Sequence, residues 1–456
     1  MSSNINLINE NNLRDRLSLL SRELNVSKWD LGASIAKDVS VQIDKGQPKQ
    51  LKASQKSSIT IRVWNNSQVG ITSTSDLSEL GLRKALSSAL QASNFGNKEE
   101  TPDFSICSKE ALPKIDNPLR KQFGVKKLLS SLIEAEGNLL TADKSIKSVP
   151  YNGFAESMFE RVYINSDGAL RHIEGTQASL YLYARAEESG RKPRSSGSIK
   201  IGYGAEDINI KDCINEAASR TLSHLYYKPI KTGKYLVCFK PEAILDLLTA
   251  FSNIYNARSI IDGISLSTKN SIGKKISSEI LSMNDNGLHQ ANYGACTFDG
   301  EGTPTQNISV IEAGILKNFI HSEATARYFK TRPTGHGSIG SKASVSPDWP
   351  VIFRTNGHSA KCPKLDYKMT TDEFVLVENL HALHAGIKAS QGSFSLPFDG
   401  WLVTNQEKTS IESATIAGDI MDLLNNIIQV ESKQVFTHQG VSPHVWVEEL
   451  AITGDK

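Results

Sequence analysis

Apolar residues near the beginning of the chain recur at the spacing of one helix face, as shown by Leu13, Leu17, Leu20 and Leu24. This spacing predicts an amphipathic helix over residues 10–24. Alternating apolar and polar residues then predict half-buried strands, at residues 39–43, 59–63 and 69–76. Asp76, with Glu79 three residues later, is typical of a capped helix start. These elements indicate a compact α/β unit.

Residues 97–204 contain a predicted linker, followed by a helix and a set of strands. Three prolines stand among charged residues between 97 and 120, and this composition predicts a linker. An apolar helix face begins at Val125, and alternating segments predict antiparallel strands after it, at residues 161–165, 178–184 and 198–204. The polar segment 189–197 predicts an exposed loop with three solvated basic residues.

A different pattern starts near residue 230. The apolar run 234–239 predicts a buried strand, and a helix follows it directly, with Pro241 suited to the first helical position and Glu242 to the positive end of the helix dipole. The glycine-rich segment 331–341 predicts a loop that is either mobile or ordered by a partner or peptide, and we favour the second. A last helix is predicted at 418–428.

These patterns predict an α+β fold in three domains, because 456 residues exceed what one ordinary core holds. Residues 1–112 form the amino-terminal α/β domain. Residues 113–229 form an antiparallel middle domain, and residues 230–456 form a larger, mixed, β-rich carboxy-terminal domain.

Charge and composition exclude several classes of function. Lys plus Arg (51) nearly balance Asp plus Glu (49), which gives a net charge of +2. This is too little excess positive charge to predict direct binding of nucleic acid. The sequence contains no apolar run long enough for a membrane helix, and its first residues lack a signal-peptide core. We therefore expect a cytoplasmic protein. Its five cysteines are scattered without a CxxC pair, which is typical of reduced thiols.

Several stretches together resemble the TldD/PmbA family, whose members are labelled modulators of DNA gyrase and are classed with metallopeptidases. The stretches are VGITSTSDLS (69–78), NSDGALRHIEG (165–175), KYLVCFKPEAILDLL (234–248), the Asp-Glu-Gly segment with its hairpin (296–329) and SATIAGDIMDLLNNI (413–427). They occur in the family's order from about residue 30 to the end of the chain. The resemblance implies that residues 230–456 form a metallopeptidase-like domain.

The resemblance also implies which kind of family member this chain is. TldD-like chains carry His-Glu-x-x-x-His on the helix that opens the carboxy-terminal domain, and a downstream cysteine completes a zinc site. The matching helix here, 241–252, contains no histidine, none of the ten histidines precedes a glutamate, and 435–450 contains no cysteine. The resemblance therefore implies a PmbA-type (TldE-type) chain without metal ligands or cofactor, with zinc in a partner subunit.

Two other residue pairs suggest metal or acid–base chemistry. His381 and His384 need a third ligand, and neither Asp399 nor His358 can be placed near them from the sequence. We favour ordinary hydrogen-bonded histidines. Glu242 and Asp246 lie one helical turn apart, but carboxylates alone suit a hard cation better than a peptidase zinc.

The remaining candidate site residues are assigned to a peptide cavity or a subunit interface: Asp299, Glu301, Gly302, Arg332, His336 and His384. The glycines around Asp299 and Glu301 equally permit a purely structural turn. No GxSxG nucleophile elbow is present, and Cys238 and Cys296 are expected to be small buried residues.

The leading functional hypothesis is a supporting subunit of a cytosolic two-chain metalloprotease. As the resemblance implies, a TldD-type partner supplies zinc and the general base, and this chain helps to hold an unfolded peptide, for example as an added strand. Self-association into homo-oligomers is a further expectation. The alternatives are a regulatory protein that acts on DNA gyrase or on a toxin–antitoxin pair without proteolysis, and an autonomous hydrolase with unrecognised ligands.

Overall fold

The computed structural model describes residues 8–96, 101–340, 342, 344–356 and 373–454. It confirms the α+β prediction. The elements of its first half are α1 (Glu10–Glu23), β1 (Lys28–Asp44), β2 (Gln47–Asn65), β3 (Gln68–Thr74), α2 (Glu79–Ser93), α3 (Val125–Thr141), β4 (Ile146–Asn165), β5 (Leu170–Ala186), β6 (Arg194–Gly202) and α4 (Ile210–Ser223).

The second half is richer in strands. Its helices are α5 (Pro241–Ala250), α6 (Ala257–Ile261), α7 (Glu323–Phe329), α8 (Leu383–Gly386) and α9 (Ile420–Asn425). Its strands are β7 (Tyr227–Lys228), β8 (Gly233–Phe239), β9 (Leu281–Asn286), β10 (Asn307–Glu312), β11 (Ile315–Leu316), β12 (Gly337–Ser338), β13 (Ser344–Val345), β14 (Pro350–Arg354), β15 (Phe374–Leu380), β16 (Ile387–Lys388), β17 (Ser393–Thr404), β18 (Glu407–Ile411), β19 (Ala414–Asp419), β20 (Ile427–Val430), β21 (Val435–Phe436), β22 (Val441–Ser442) and β23 (Val445–Gly454).

One antiparallel sheet, in the order β3-β2-β1-β4-β5-β6, contains strands from both the predicted first and middle domains. We call it the first sheet. Alternate residues of its strands are apolar and pack under α1 and α2 at one end and under α3 and α4 at the other. All four helices therefore cover the same face. Burying the apolar side of each strand fixes the register, because a shift by one residue would expose it.

The carboxy-terminal part contains two larger sheets. One has the order β11-β10-β9-β14-β22-β21. In the other, β15, β8, β23, β19 and β17 are hydrogen-bonded in turn, and β15 also pairs with β17, so these five strands close into a ring. Helix α5 contacts β15 of the ring and β22 of the other sheet. Its apolar side lies in the largest core of the described residues.

The helices predicted from leucine spacing and from Pro241 are confirmed, but three local predictions are wrong. The side chain of Ser78, not Asp76, caps α2 by accepting a hydrogen bond from the Gly81 N–H at 3.1 Å. The segment predicted as a loop at 189–197 is already strand from Arg194, because β6 pairs there with β5. The last helix ends at Asn425, since β20 instead pairs with β23.

Within the part of the chain that the structure describes, no helix is both long enough and apolar enough to cross a membrane.

Candidate functional site: a cavity between the first sheet and helix α5

A cavity of about 1150 Å³ separates the first sheet from the carboxy-terminal part. Strands β5 and β6 and the polar side of α4 form one wall. The first turns of α5, the segments 291–294 and 347–350 and the segment 435–439 form the other. Its volume is slightly above the range of about 300–1,000 Å³ that is typical of small-molecule sites, which leaves room for part of a peptide. Of the residue pairs singled out in the sequence, Glu242, Asp246 and His381 line this cavity.

Helix α5 directs two carboxylates into this cavity. Pro241 occupies the first turn of α5, where its missing N–H group has no hydrogen-bond partner to lose. The apolar side of the helix is buried in the core, so its polar side faces the cavity. Arg220 of α4 donates a hydrogen bond to Glu242 Oε1 at 3.1 Å. The Gln439 amide donates to Asp246 Oδ1 at 2.9 Å and to the Glu242 carbonyl oxygen at 3.3 Å. Both carboxylates are therefore engaged within the chain.

A row of charges continues from Glu242 along the cavity wall. Arg220 also contacts Glu216 Oε1 at 2.6 Å, and Lys200 of β6 contacts Glu216 Oε2 at 2.5 Å. Burial alone would lower the pKa of the Arg220 guanidinium, but the carboxylates of Glu242 and Glu216 raise it. Burial raises the pKa of Asp246, although the Gln439 hydrogen bond opposes this. The row joins β6 and α4 to α5 with its charges balanced.

The histidine pair does not form a metal site in the described residues. His381 Nε2 lies 2.7 Å from Asp399 Oδ2, and this hydrogen bond raises the pKa of the imidazole. His384 is exposed on α8 and does not line the cavity. His358 lies outside the residues that the structure describes. No group of three or more His, Cys, Asp or Glu side chains within the described ranges is placed to hold a metal ion.

Four of the sequence-predicted residues lie together in a second place, between the first sheet and the carboxy-terminal part. Glu301, Gly302 and His336 are buried there, and Asp299 is half-buried. Asp299 accepts hydrogen bonds from the backbone N–H groups of Glu301, Thr303 and Gly337, as expected for a structural turn. Gly302 needs to be glycine because its φ is +76° and a Cβ atom would lie 2.4 Å from the Tyr163 ring.

The sequence reasoning missed the residue that neutralises this second place. Arg62 of β2 is 1% exposed, and its Nε donates to Asp30 Oδ1 at 2.9 Å, while its Nη1 lies 3.6 Å from Glu301 Oε1. Burial raises the pKa of Glu301 to about 8 and that of Asp299 to about 6. Asp30 and Arg62 are cross-strand partners of β1 and β2, so only knowledge of the register could have paired them.

The last sequence-predicted residue, Arg332, lies apart from both places. It is exposed, forms an ion pair with Glu110, and donates a hydrogen bond to the Cys107 sulfur at 3.2 Å. The rest of its glycine-rich segment is not free, since Thr334 and His336 are buried and β12 pairs with β13. Contacts within this chain hold the segment up to Gly340.

A serine, a histidine and a glutamate also form a hydrogen-bonded chain beside α5. Ser410 Oγ lies 3.0 Å from His224 Nδ1, and His224 Nε2 lies 2.8 Å from Glu378 Oε2. This order of groups resembles that of a hydrolase triad. Ser410 is only 1% exposed, however, and Trp401 stacks on His224 with 4.5 Å between ring centroids. No substrate carbonyl can reach that hydroxyl, so the arrangement is structural.

Comparison with known proteins identifies the family. Three family models match, described as PmbA/TldA metallopeptidase domain 1 over residues 29–93, the central domain over 121–225 and the C-terminal domain over 232–454. The chain is 26% identical over 423 residues to the metalloprotease PmbA of Escherichia coli O157:H7, covering 90% of this chain and 89% of that protein.

Two solved structures share the fold. One is a Thermotoga maritima protein described as a candidate modulator of a DNA gyrase, with 24% identity, a TM-score of 0.85 and coverage of 97% of this chain and 100% of that chain. The other is TldE from Thermococcus kodakarensis, with 18% identity, a TM-score of 0.77 and coverage of 97% and 99%. Since the family models span most of its length, this chain belongs to the PmbA/TldD family of metallopeptidases.

Proposed function

We propose that this chain is a metal-free, TldE-type subunit of a cytoplasmic two-chain metalloprotease. A TldD-type partner supplies zinc and the general base, and this chain forms part of the wall of a shared peptide cavity. Membership of a metallopeptidase family and the fold shared with TldE support the proposal. Self-association of the chain is a further part of it.

The observation that carries the proposal is the state of α5 at the cavity. Zinc in a peptidase is held mainly by imidazole or thiolate groups. Helix α5 offers only the carboxylates of Glu242 and Asp246, and these are already engaged by Arg220 and Gln439. The residues present do not fit a zinc ion, so no step of hydrolysis is assigned to this chain.

The chain's own contribution is to hold substrate. Strand β6 is the last strand of the first sheet, and among the described residues no further strand pairs with it. Side chains of α4 cover part of its edge, where Thr221 Oγ1 donates to the Ser196 carbonyl oxygen at 2.9 Å. The part from Ile199 to Ile201 borders the cavity. An extended peptide can add there as a strand through main-chain hydrogen bonds, with little sequence preference.

Reconstitution tests the proposal. This chain, a TldD-type chain from the same genome and their mixture are each incubated with an unfolded, fluorescence-quenched peptide, with and without 1,10-phenanthroline. We expect chelator-sensitive cleavage by the mixture, little by the partner alone and none by this chain. Chelator-sensitive cleavage by this chain alone would establish an autonomous hydrolase and reject the proposal.

A second candidate function is regulation of DNA gyrase without proteolysis. The description of the Thermotoga maritima relative favours it. The near-neutral charge of this chain means that such an effect would act through protein contacts and not through DNA. Gyrase-catalysed supercoiling that changes when this chain is added, in the absence of any TldD-type chain, would support this function over the first.

A further inference from the structure

The two faces of the first sheet differ in what they contact. One face is buried under α1 to α4. The other face carries the alternate residues of each strand. At one end, the carboxy-terminal residues Phe298 and Ile339 pack against it near Tyr163. At the other end it forms the cavity wall, with Gln177, Tyr183, Gly197, Ile199 and Ile201. The surface that this face presents to the cavity is therefore formed by side chains of β5 and β6.

Three aromatic rings on this face lie over glycines of the neighbouring strand. A Cβ atom on Gly197 would be 2.6 Å from Cγ of Tyr183, its cross-strand partner. A Cβ atom on Gly153 would be 2.5 Å from the Tyr181 ring, and one on Gly175 would be 2.4 Å from the Phe159 ring. Each ring thus lies against the backbone of the adjacent strand, which only glycine permits at this distance.

The tyrosine rings lie on the face of the first sheet that α1 to α4 do not cover. Gln42 Nε2 donates to the Tyr181 hydroxyl at 2.9 Å, which links the ring to β1. Tyr151 stands directly opposite Tyr183 in the register and is 69% exposed. Tyr181 and Tyr183 are half-buried. Tyr151, Tyr181 and Tyr183 therefore form one patch of partly accessible aromatic surface that reaches the cavity at Tyr183. Phe159 lies about 20 Å farther along the sheet, because six residues of β4 separate it from Gly153.

The charge of this face favours polypeptide over nucleic acid. Around Tyr181 and Tyr183 it carries uncharged hydrogen-bonding side chains, including Ser179 and Gln177, and the nearby Arg185 is paired with Glu187 at 2.9 Å. The other basic residues of this face include Lys52 on β2, Arg161 beside Phe159, and Lys56, which pairs with Asp38 at 3.4 Å. A nucleic-acid surface needs unpaired basic groups along the strand. An unfolded polypeptide needs apolar contact area and hydrogen-bond partners without net charge, because its side chains vary.

We propose that Tyr181 and Tyr183, laid flat over Gly153 and Gly197, form an aromatic platform that binds the aromatic and apolar side chains of an unfolded polypeptide at the edge of the cavity. The inference rests on the proposed function and adds a preference to it: among unfolded polypeptides, those that carry aromatic side chains bind most tightly. The glycines are positioning residues, since they act by allowing the rings to lie flat.

Fluorescence anisotropy of this chain alone tests the platform. The probe is a fluorescein-labelled, unstructured peptide of repeated Ser-Phe-Gly-Asn units, and the comparison peptide has Ser in place of Phe. We expect the Phe peptide to bind more tightly than its Ser counterpart. Tyr183→Ala and Gly197→Ala should each weaken binding of the Phe peptide about 2- to 10-fold, as expected for loss of one aromatic contact. Tyr328→Ala, at a tyrosine that is 58% exposed on α7, is the matched control and should leave binding unchanged.

Circular dichroism shows whether each variant is folded. If Tyr183→Ala does not fold, Tyr183→Leu, which keeps an apolar side chain of similar size, is used in its place. Lowered stability with unchanged peptide affinity would mean that the rings only cover glycine backbone, and would overturn the proposal. Absence of binding by the unaltered chain, or equal binding of both peptides, would do the same. Because no partner and no zinc are present, these results are independent of whether the reconstituted pair cleaves peptides.

Discussion

Replacing Arg62 with methionine should destabilise the chain far more than breaking an exposed ion pair. Arg62 and Asp30 are 1% and 0% exposed, and the guanidinium also donates to the Gly340 carbonyl oxygen at 3.3 Å. Methionine is of similar length but has neither the charge nor the donors. Asp30 would keep a hydrogen bond from the Tyr163 hydroxyl at 3.0 Å but would lose its charged partner.

The size of the effect follows from burial. Removing one partner of a buried ion pair costs about 3–5 kcal/mol, because the remaining charge is left without compensation. Arg83→Met is the matched control. Arg83 pairs with Glu23 on the surface, where the two side chains are 39% and 44% exposed, so its loss should cost less than about 1 kcal/mol.

Urea-induced unfolding at neutral pH, followed by tryptophan fluorescence, measures the difference, since Trp29 and Trp64 lie in the same sheet as Arg62. We expect the transition of Arg62→Met to move to clearly lower urea, and that of Arg83→Met to stay close to that of the unaltered chain. Equal shifts for the two variants would refute the conclusion that the buried charge of Asp30 depends on Arg62.

Three further predictions concern single sites. Burial raises the pKa of Glu301 to about 8, so the folded chain holds this proton more tightly than the unfolded chain does. Thermal stability should therefore fall as pH rises through that value. In thermal scans, Glu301→Gln should make the melting temperature depend less on pH. In urea unfolding, Gly302→Ala should lower the free energy of unfolding by about 3 kcal/mol, because its φ is positive and the added Cβ atom would clash with a buried ring. Gly46→Ala is the control: its φ is +73° but no atom lies within 4 Å of the added Cβ, so the loss should be about 1 kcal/mol. The imidazole of His381 should titrate above its usual pKa in NMR spectra, and Asp399→Asn should lower that pKa; an unchanged titration would contradict the hydrogen bond.

The helices were easier to predict than the extents of the strands. Leucine spacing located α1, and Pro241 located the start of α5, because these signals are local. The sequence predicted strands of five residues at 39–43 and 59–63, whereas β1 and β2 contain 17 and 19 residues. Much of β2 is polar and exposed on both faces, so alternation gives no signal there. Its extension depends on pairing with β1.

The candidate site was predictable in its chemistry but not in its geometry. The absence of histidine from residues 241–252 and of cysteine from 435–450 can be read directly from the sequence. The sequence does not show that Gln439 bonds Asp246, because 193 residues separate them and their contact depends on how β22 packs beside α5. For the same reason the burial of Glu301 beside Asp299 followed only from the fold.

The metal content of the purified chains tests the central claim most directly. Inductively coupled plasma mass spectrometry is applied to this chain alone, to the TldD-type partner and to the copurified pair. We predict stoichiometric zinc in the partner and in the pair, and none in this chain. Stoichiometric zinc in this chain alone, removed by chelator and restored by added zinc, would contradict the account.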